Sequence, residues 1–173
     1  MMPIAERTAE VEWDGSLARG TGTVESGSGA LTGLPVTWAA RTEAPEGKTS
    51  PEELVAAAHA TCFTMALALV LGEAKTPPGH ITTSASCVFD EVDGAPRITS
   101  VALRVHAQVE ALDEAGFNAA VGQAAAVCPV SNALRGNVEI SVAAVLDMIP
   151  LANGRTRIAK PADEGSRGGP RVL

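Results

Sequence analysis

Ser50-Pro51-Glu52-Glu53 followed by Leu54-Val55-Ala56-Ala57-Ala58-His59-Ala60-Thr61-Cys62-Phe63-Thr64-Met65-Ala66-Leu67-Ala68-Leu69-Val70-Leu71 is the stretch on which the fold turns. Its opening is a compact helix start. Ser50 suits the N-cap, Pro51 the first helical position, and Glu53 completes a capping box. The spacing predicts a helix to about Leu71, with Gly72 as its stop. Leu54 to Leu71 is 18 residues without a formal charge, long enough for a membrane span. The run is nevertheless Ala-rich, contains His59, Thr61 and Thr64, and opens on two carboxylates, so it reads as a core helix. No membrane partner is expected. A helix apolar on nearly every face must be covered on nearly every side. One small sheet cannot do that, which makes two sheets and a homodimer the expected answer.

Working outward, the N-terminal side reads as three strands: Thr8–Trp13, Gly20–Ser26 and Leu34–Thr42. Asp14-Gly15 and Gly27-Ser28-Gly29 punctuate them, as in an antiparallel meander. On the far side, His80–Val92 and Pro96–Ala111 form a predicted hairpin around Asp93-Gly94. Asp113 caps a helix over Glu114–Val127, Cys128-Pro129 interrupts it, and a short helix follows to Arg135. Gly136 closes that helix, and Val138–Leu146 alternates as a last strand. The order is βββ-α-ββ-α-α-β. The class is α+β, with antiparallel sheets enclosing the long apolar helix.

Composition narrows the function. Hydrophobic residues are 46% of the 173 and charged ones 19%, enough for a substantial core. Aromatics are 3%, Tyr is absent and the net charge is −7, which excludes a nucleic-acid reader built on stacking rings and phosphate contacts. Residues 1–149 carry 8 Lys/Arg against 18 Asp/Glu, whereas 150–173 carry 5 against 2. A domain over 1–147 with a basic, Gly/Pro-rich tail over 148–173 is therefore expected. Three cysteines, an odd number, do not make a secreted disulfide framework, and Met1 to Trp13 lacks the pattern of a signal peptide. A cytoplasmic location is expected.

The chemistry rests with the cysteines. No C-x-x-C or His/Cys pair at ligand spacing is present, so no metal is expected. Cys87, inside a strand, reads as a packing thiol. Cys62 lies mid-helix, where burial raises a thiol pKa, so a cation must come from elsewhere if it is to react. Arg41, at the end of the apolar third strand, is the best placed, and Glu52 or Glu53 can hold it. Glu52 and Cys62, ten residues apart on a helix, differ in height by about 15 Å, so only a long side chain can couple them. Cys128, ahead of Pro129 at a helix N-terminus, is on local physics the more acidic thiol.

Thr49-Ser50-Pro51-Glu52-Glu53-Leu54, Ala57 through Leu67, and Cys128-Pro129-Val130-Ser131-Asn132-Ala133-Leu134 together closely resemble the OsmC/Ohr family, over about Thr8 to Leu146. These are thiol-dependent peroxidases named for osmotic induction and organic hydroperoxide resistance. His59–Phe63 and Arg41 are similar to the OsmC branch, and Asn132 with Arg135-Gly136-Asn137 to the Ohr branch. The resemblance implies an intertwined homodimer with Cys62 as peroxidatic thiol, Cys128 as resolving thiol, and Arg41 with Glu52 as the activating pair. It implies no cofactor. A peroxide would be the substrate and a dithiol of lipoyl or thioredoxin type the reductant. The apolar neighbours Phe63 and Met65 would favour organic hydroperoxides, although both read as core. Two other classes fit the residues less well. One is a Cys-His hydrolase using Cys62 with His59, which share a helical face at i, i+3. The other is a non-catalytic dimer that binds a small apolar ligand.

Overall fold

Two units divide the chain, Met1–Leu54 and Val55–Leu173, in a computed structural model that describes residues 3–110, 112–147 and 171–172. In the first unit β1 (Ala9–Asp14), β2 (Thr21–Ser26) and β3 (Leu34–Val36) form the expected antiparallel meander, in the order β1-β2-β3. The third strand is shorter than its apolar run predicts. Thr37 has extended backbone and its hydroxyl accepts the Ala40 N–H, which starts a helix α1 (Trp38–Thr42) where a strand is expected. Ala39 and Ala40 favour a helix over a strand, and the cap gives that helix its start. Arg41 consequently sits in the last turn of a helix and not at a strand end.

The long helix α2 (Pro51–Glu73) begins as read and ends later. Ser50 Oγ accepts the Glu53 N–H at 3.1 Å, but the Glu53 carboxylate turns to the Thr49 hydroxyl at 2.8 Å. The capping box is thus half made. Gly72 stays helical, and the reversal falls at Lys75, whose φ of 60° is left-handed. There the Lys75 and Thr76 N–H groups cap the carbonyls of Gly72 and Leu71.

In the second unit β4 (Pro78–Val92) and β5 (Ala95–Val109) pair antiparallel across Asp93-Gly94. Both turn residues have positive φ, as a two-residue primed turn requires. Next come α3 (Glu114–Val127), capped by the Asp113 carboxylate, and α4 (Pro129–Leu134). Then β6 (Glu139–Leu146) lies parallel to β5, from Ser100↔Glu139 to Ala107↔Leu146. This departs from the all-antiparallel expectation. Two intervening helices carry the chain back to the start of β5, so the next strand runs the same way, as crossovers through helices do. The residues 148–170, which hold most of the expected tail, lie outside the described ones. Arg171–Val172 form a two-residue strand β7 on the β6 edge.

The core of this unit is mostly aliphatic, as the composition dictates, with two buried phenylalanine rings. Phe63, Leu67 and Leu71 of α2 pack with Leu103 and Val105 of β5, Phe117 and Ala124 of α3, and Val142 of β6. Only one stripe of α2 is used. Met65 and Leu69, on another face, are 68% and 57% exposed, so Phe63 is core as read and Met65 is not.

Candidate active site

The structure forms two pairs of side chains, one in each unit. In the first, α1 presents Arg41 to Glu52 in the first turn of α2. Arg41 Nε donates to Glu52 Oε1 and Oε2 at 3.0 and 3.1 Å, and Nη2 donates to Oε1 at 2.6 Å. This forked, charge-assisted geometry is what a guanidinium does best. It allows the Glu52 carboxylate to be buried without an unpaired charge. The guanidinium also lies 5.6 Å from the centre of the Trp38 ring. Chemical reasoning on the sequence leaves Glu52 and Glu53 equal as partners for Arg41. The Thr37 cap and the Thr49–Glu53 bond separate them.

In the second unit, α2 and the junction between α3 and α4 bring Cys62 and Cys128 together from 66 positions apart. Their sulfurs share a hydrogen bond at 3.3 Å, and neither is in a disulfide. Cys62 is partly exposed, whereas Cys128 is fully buried. Burial pushes the Cys62 thiol up, only partly offset by the Val130 N–H, and the neighbouring Cys128 adds to the rise. Cys128 feels burial most strongly too, yet its thiol is held below the ordinary value. The polar groups of Ser131, first its hydroxyl and then its N–H, favour the thiolate, as do Cys62 and the Val130 N–H. Cys128 is the N-cap residue of α4, with Pro129 in the first turn and no capping hydrogen bond from its side chain.

Sequence reasoning misses one member of this cluster. His59 is fully buried, and its Nε2 lies 2.8 Å from Ser131 Oγ, 72 positions away. A helical face alone suggests Cys62 as its partner. Ser131 sits in the Cys128-Pro129-Val130-Ser131 motif, but nothing local marks its hydroxyl as buried. Cys87 lies on β4, paired with Val101 of β5. Among the described residues no group of three or more His, Cys, Asp or Glu side chains could hold a metal ion.

The family model described as OsmC-like protein matches residues 44–143. The chain is 40% identical over 134 residues to "Peroxiredoxin OsmC" of Escherichia coli (strain K12), covering 78% of this chain and 93% of that one. It is 36% identical over 95 residues to "Organic hydroperoxide resistance protein" of Xanthomonas axonopodis pv. citri, covering 54% and 65%. Among solved structures, an organic hydroperoxide resistance protein OsmC from Legionella pneumophila superposes with a TM-score of 0.69. The two are 27% identical over 84% of this chain and all of that one.

Proposed function

This chain belongs to the OsmC-like protein family, and from that membership we propose that it is a cysteine-based peroxidase that reduces organic hydroperoxides through Cys62 and Cys128. The observation that carries the reading is the 3.3 Å approach of the two sulfurs. Two thiols at that distance can cycle between a dithiol and a disulfide with little backbone movement. Their unlike surroundings support unlike duties. Cys62 is the thiol of the pair that a peroxide can reach, and Cys128 is shielded.

In the proposed cycle the Cys62 thiolate attacks the distal oxygen of the hydroperoxide. The O–O bond breaks, the alkoxide leaves and takes up a proton, and Cys62 becomes a sulfenic acid. Cys128 then displaces hydroxide from that sulfur and forms the Cys62–Cys128 disulfide, which protects Cys62 from further oxidation. A dithiol reductant of lipoyl or thioredoxin type restores both thiols by exchange. Because burial raises the Cys62 pKa, the first step needs a cation. The family resemblance assigns that duty to Arg41, with Glu52 orienting it, and the forked Arg41–Glu52 pair supports the second half of the assignment.

A second copy of the chain belongs to the same proposal. The exposed Met65 and Leu69 leave α2 short of the cover that an apolar helix needs. The need for a dithiol reductant is the reason to place the protein in the reducing cytoplasm.

Cys128→Ser tests the cycle. With one equivalent of an organic hydroperoxide, Cys62 should gain about 16 Da as a persistent sulfenic acid, without a linked peptide. Excess peroxide should then carry it to the irreversible sulfinic acid within a few turnovers. Sustained turnover without overoxidation would contradict the role given to Cys128.

A further inference from the structure

One motif and one buried bond take no part in the cycle above. The motif is Asn132 with Arg135, shortly after Cys128-Pro129. The bond joins His59 Nε2 to Ser131 Oγ at 2.8 Å, and both residues are sealed from solvent. Motif and bond converge on the α3–α4 junction, which carries Cys128.

A helix end leaves its last carbonyls without partners. At the end of α3 three of them are answered in turn. The Cys128 N–H donates to the Ala124 carbonyl at 2.9 Å. Arg135 Nη2 donates to the Ala125 carbonyl at 3.3 Å, and Asn132 Nδ2 to the Ala126 carbonyl at 3.2 Å. The Asn132 N–H also donates to the Cys128 carbonyl at 3.0 Å, so Asn132 grips the chain on both sides of Cys128. Arg135 brings a positive charge to a helix C-terminus, where the dipole favours it. These bonds fix the turn from α3 into α4.

The His59–Ser131 bond ties that turn to the helix of the other thiol. His59 stands one turn before Cys62 on α2, and Ser131 one turn after Cys128 on α4. The two helices are thus held at neighbouring points, nitrogen to oxygen at 2.8 Å and sulfur to sulfur at 3.3 Å. A directional bond fixes a register that apolar side chains would leave free to slide. It carries a penalty, because His59 Nδ1 is buried with no hydrogen-bond partner among the described residues. A leucine would pack there without that orphan, so the buried imidazole calls for a reason.

We propose that Asn132, Arg135 and the His59–Ser131 pair are positioning residues, a brace that holds the Cys128 junction against α2 so that the disulfide closes without local unfolding. The inference rests on the peroxidase reading and deepens its second step. In that step Cys128 attacks the sulfur of the Cys62 sulfenic acid. The S–S bond forms, the S–O bond breaks, and the hydroxyl lost from Cys62 leaves as water with the Cys128 proton. The oxidant is the hydroperoxide already spent on Cys62. The brace acts through entropy. Without it the reduced junction gains freedom that closure must take back. The disulfide form, tied by its covalent bond, gains little. A loosened brace therefore makes the disulfide slower to close and easier to reduce.

Two lesions and one rescue test this. Asn132→Ala combined with Arg135→Ala removes the brace at two exposed residues and should leave the fold intact. His59→Leu cuts the link to α2, and His59→Gln, whose amide can bond the Ser131 hydroxyl, should restore it. Each protein is equilibrated with dithiothreitol and its cyclic disulfide at graded ratios, and the Cys62–Cys128 disulfide is counted by mass after alkylation. The double variant and His59→Leu should each lower the closing constant about tenfold, a potential about 30 mV less negative. His59→Gln should stay within about threefold of wild type. With one equivalent of an organic hydroperoxide, the double variant should form sulfenic acid, trapped with dimedone, within about twofold of the wild-type rate. Its disulfide should close about tenfold more slowly. A purely structural role would lower the unfolding midpoint of both redox forms and leave the potential unmoved. An unmoved potential in the double variant, or His59→Gln shifted as far as His59→Leu, would overturn the brace. Should His59→Leu not fold, the double variant decides alone. A wild-type protein that formed neither sulfenic acid nor disulfide with the hydroperoxide would overturn the peroxidase reading, and the potentials would still decide the brace.

Discussion

Cys62→Ser is expected to lower organic hydroperoxide reduction by about a thousandfold or more, down to the uncatalysed background. A serine hydroxyl is far less acidic than a thiol and has no accessible sulfenic state, so neither the first bond to oxygen nor the later disulfide can form. Cys62 is partly exposed and packs at the margin of the core. The smaller side chain should therefore leave the fold intact, to be checked by an unchanged unfolding midpoint. Cys128 cannot take over. Despite its more acidic thiol, it is fully buried and no peroxide reaches it. Retention of more than about a tenth of the wild-type rate would move the reactive thiol elsewhere.

Arg41→Ala is expected to have the next largest effect, and on two quantities at once. Glu52 is buried, with 8% of its side chain exposed, and Arg41 supplies all three of its described hydrogen bonds. Removing the guanidinium leaves a carboxylate with no counter-charge, at a cost of several kcal/mol when burial is complete. Arg41 itself is 27% exposed, so water can reach the vacated place and the cost falls to about 1–3 kcal/mol. For activity, loss of the cation assigned to the Cys62 thiolate should lower kcat/KM by about a hundredfold to a thousandfold. Arg41→Lys keeps the charge but not the fork, and should fall between the two. Glu52→Gln should weaken activity less than Arg41→Ala, because it loosens the guanidinium without removing it. If Arg41→Ala kept kcat/KM within about twofold while the stability loss appeared, the arginine would be a structural partner of Glu52 only.

Much of this was legible in the residues, and the failures have physical causes. The α2 stretch announces its start and its need for cover, because capping chemistry and the absence of charge are local properties. The duty expected of Cys62, by contrast, comes from the family resemblance alone. Asp93-Gly94 and Asp113 are equally local and fall where the turn and the cap require. The element that carries Arg41 is harder. Val36 to Ala40 is an apolar run that suits a strand, and the competing cap comes from one hydroxyl, that of Thr37. The direction of β6 depends on the path of two helices, not on its own alternation. The His59–Ser131 bond spans 72 positions and leaves no periodic trace. The helix stop fails because Gly72 tolerates the helix, and the left-handed residue that ends it is Lys75, an unusual occupant.

The most direct test of the two-thiol cycle is non-reducing peptide mapping by mass spectrometry, after one equivalent of an organic hydroperoxide is added to the fully reduced protein. The expected result is a loss of about 2 Da, a peptide linking Cys62 to Cys128, and Cys87 still open to alkylation. Three unchanged thiols, or a link that includes Cys87, would contradict it.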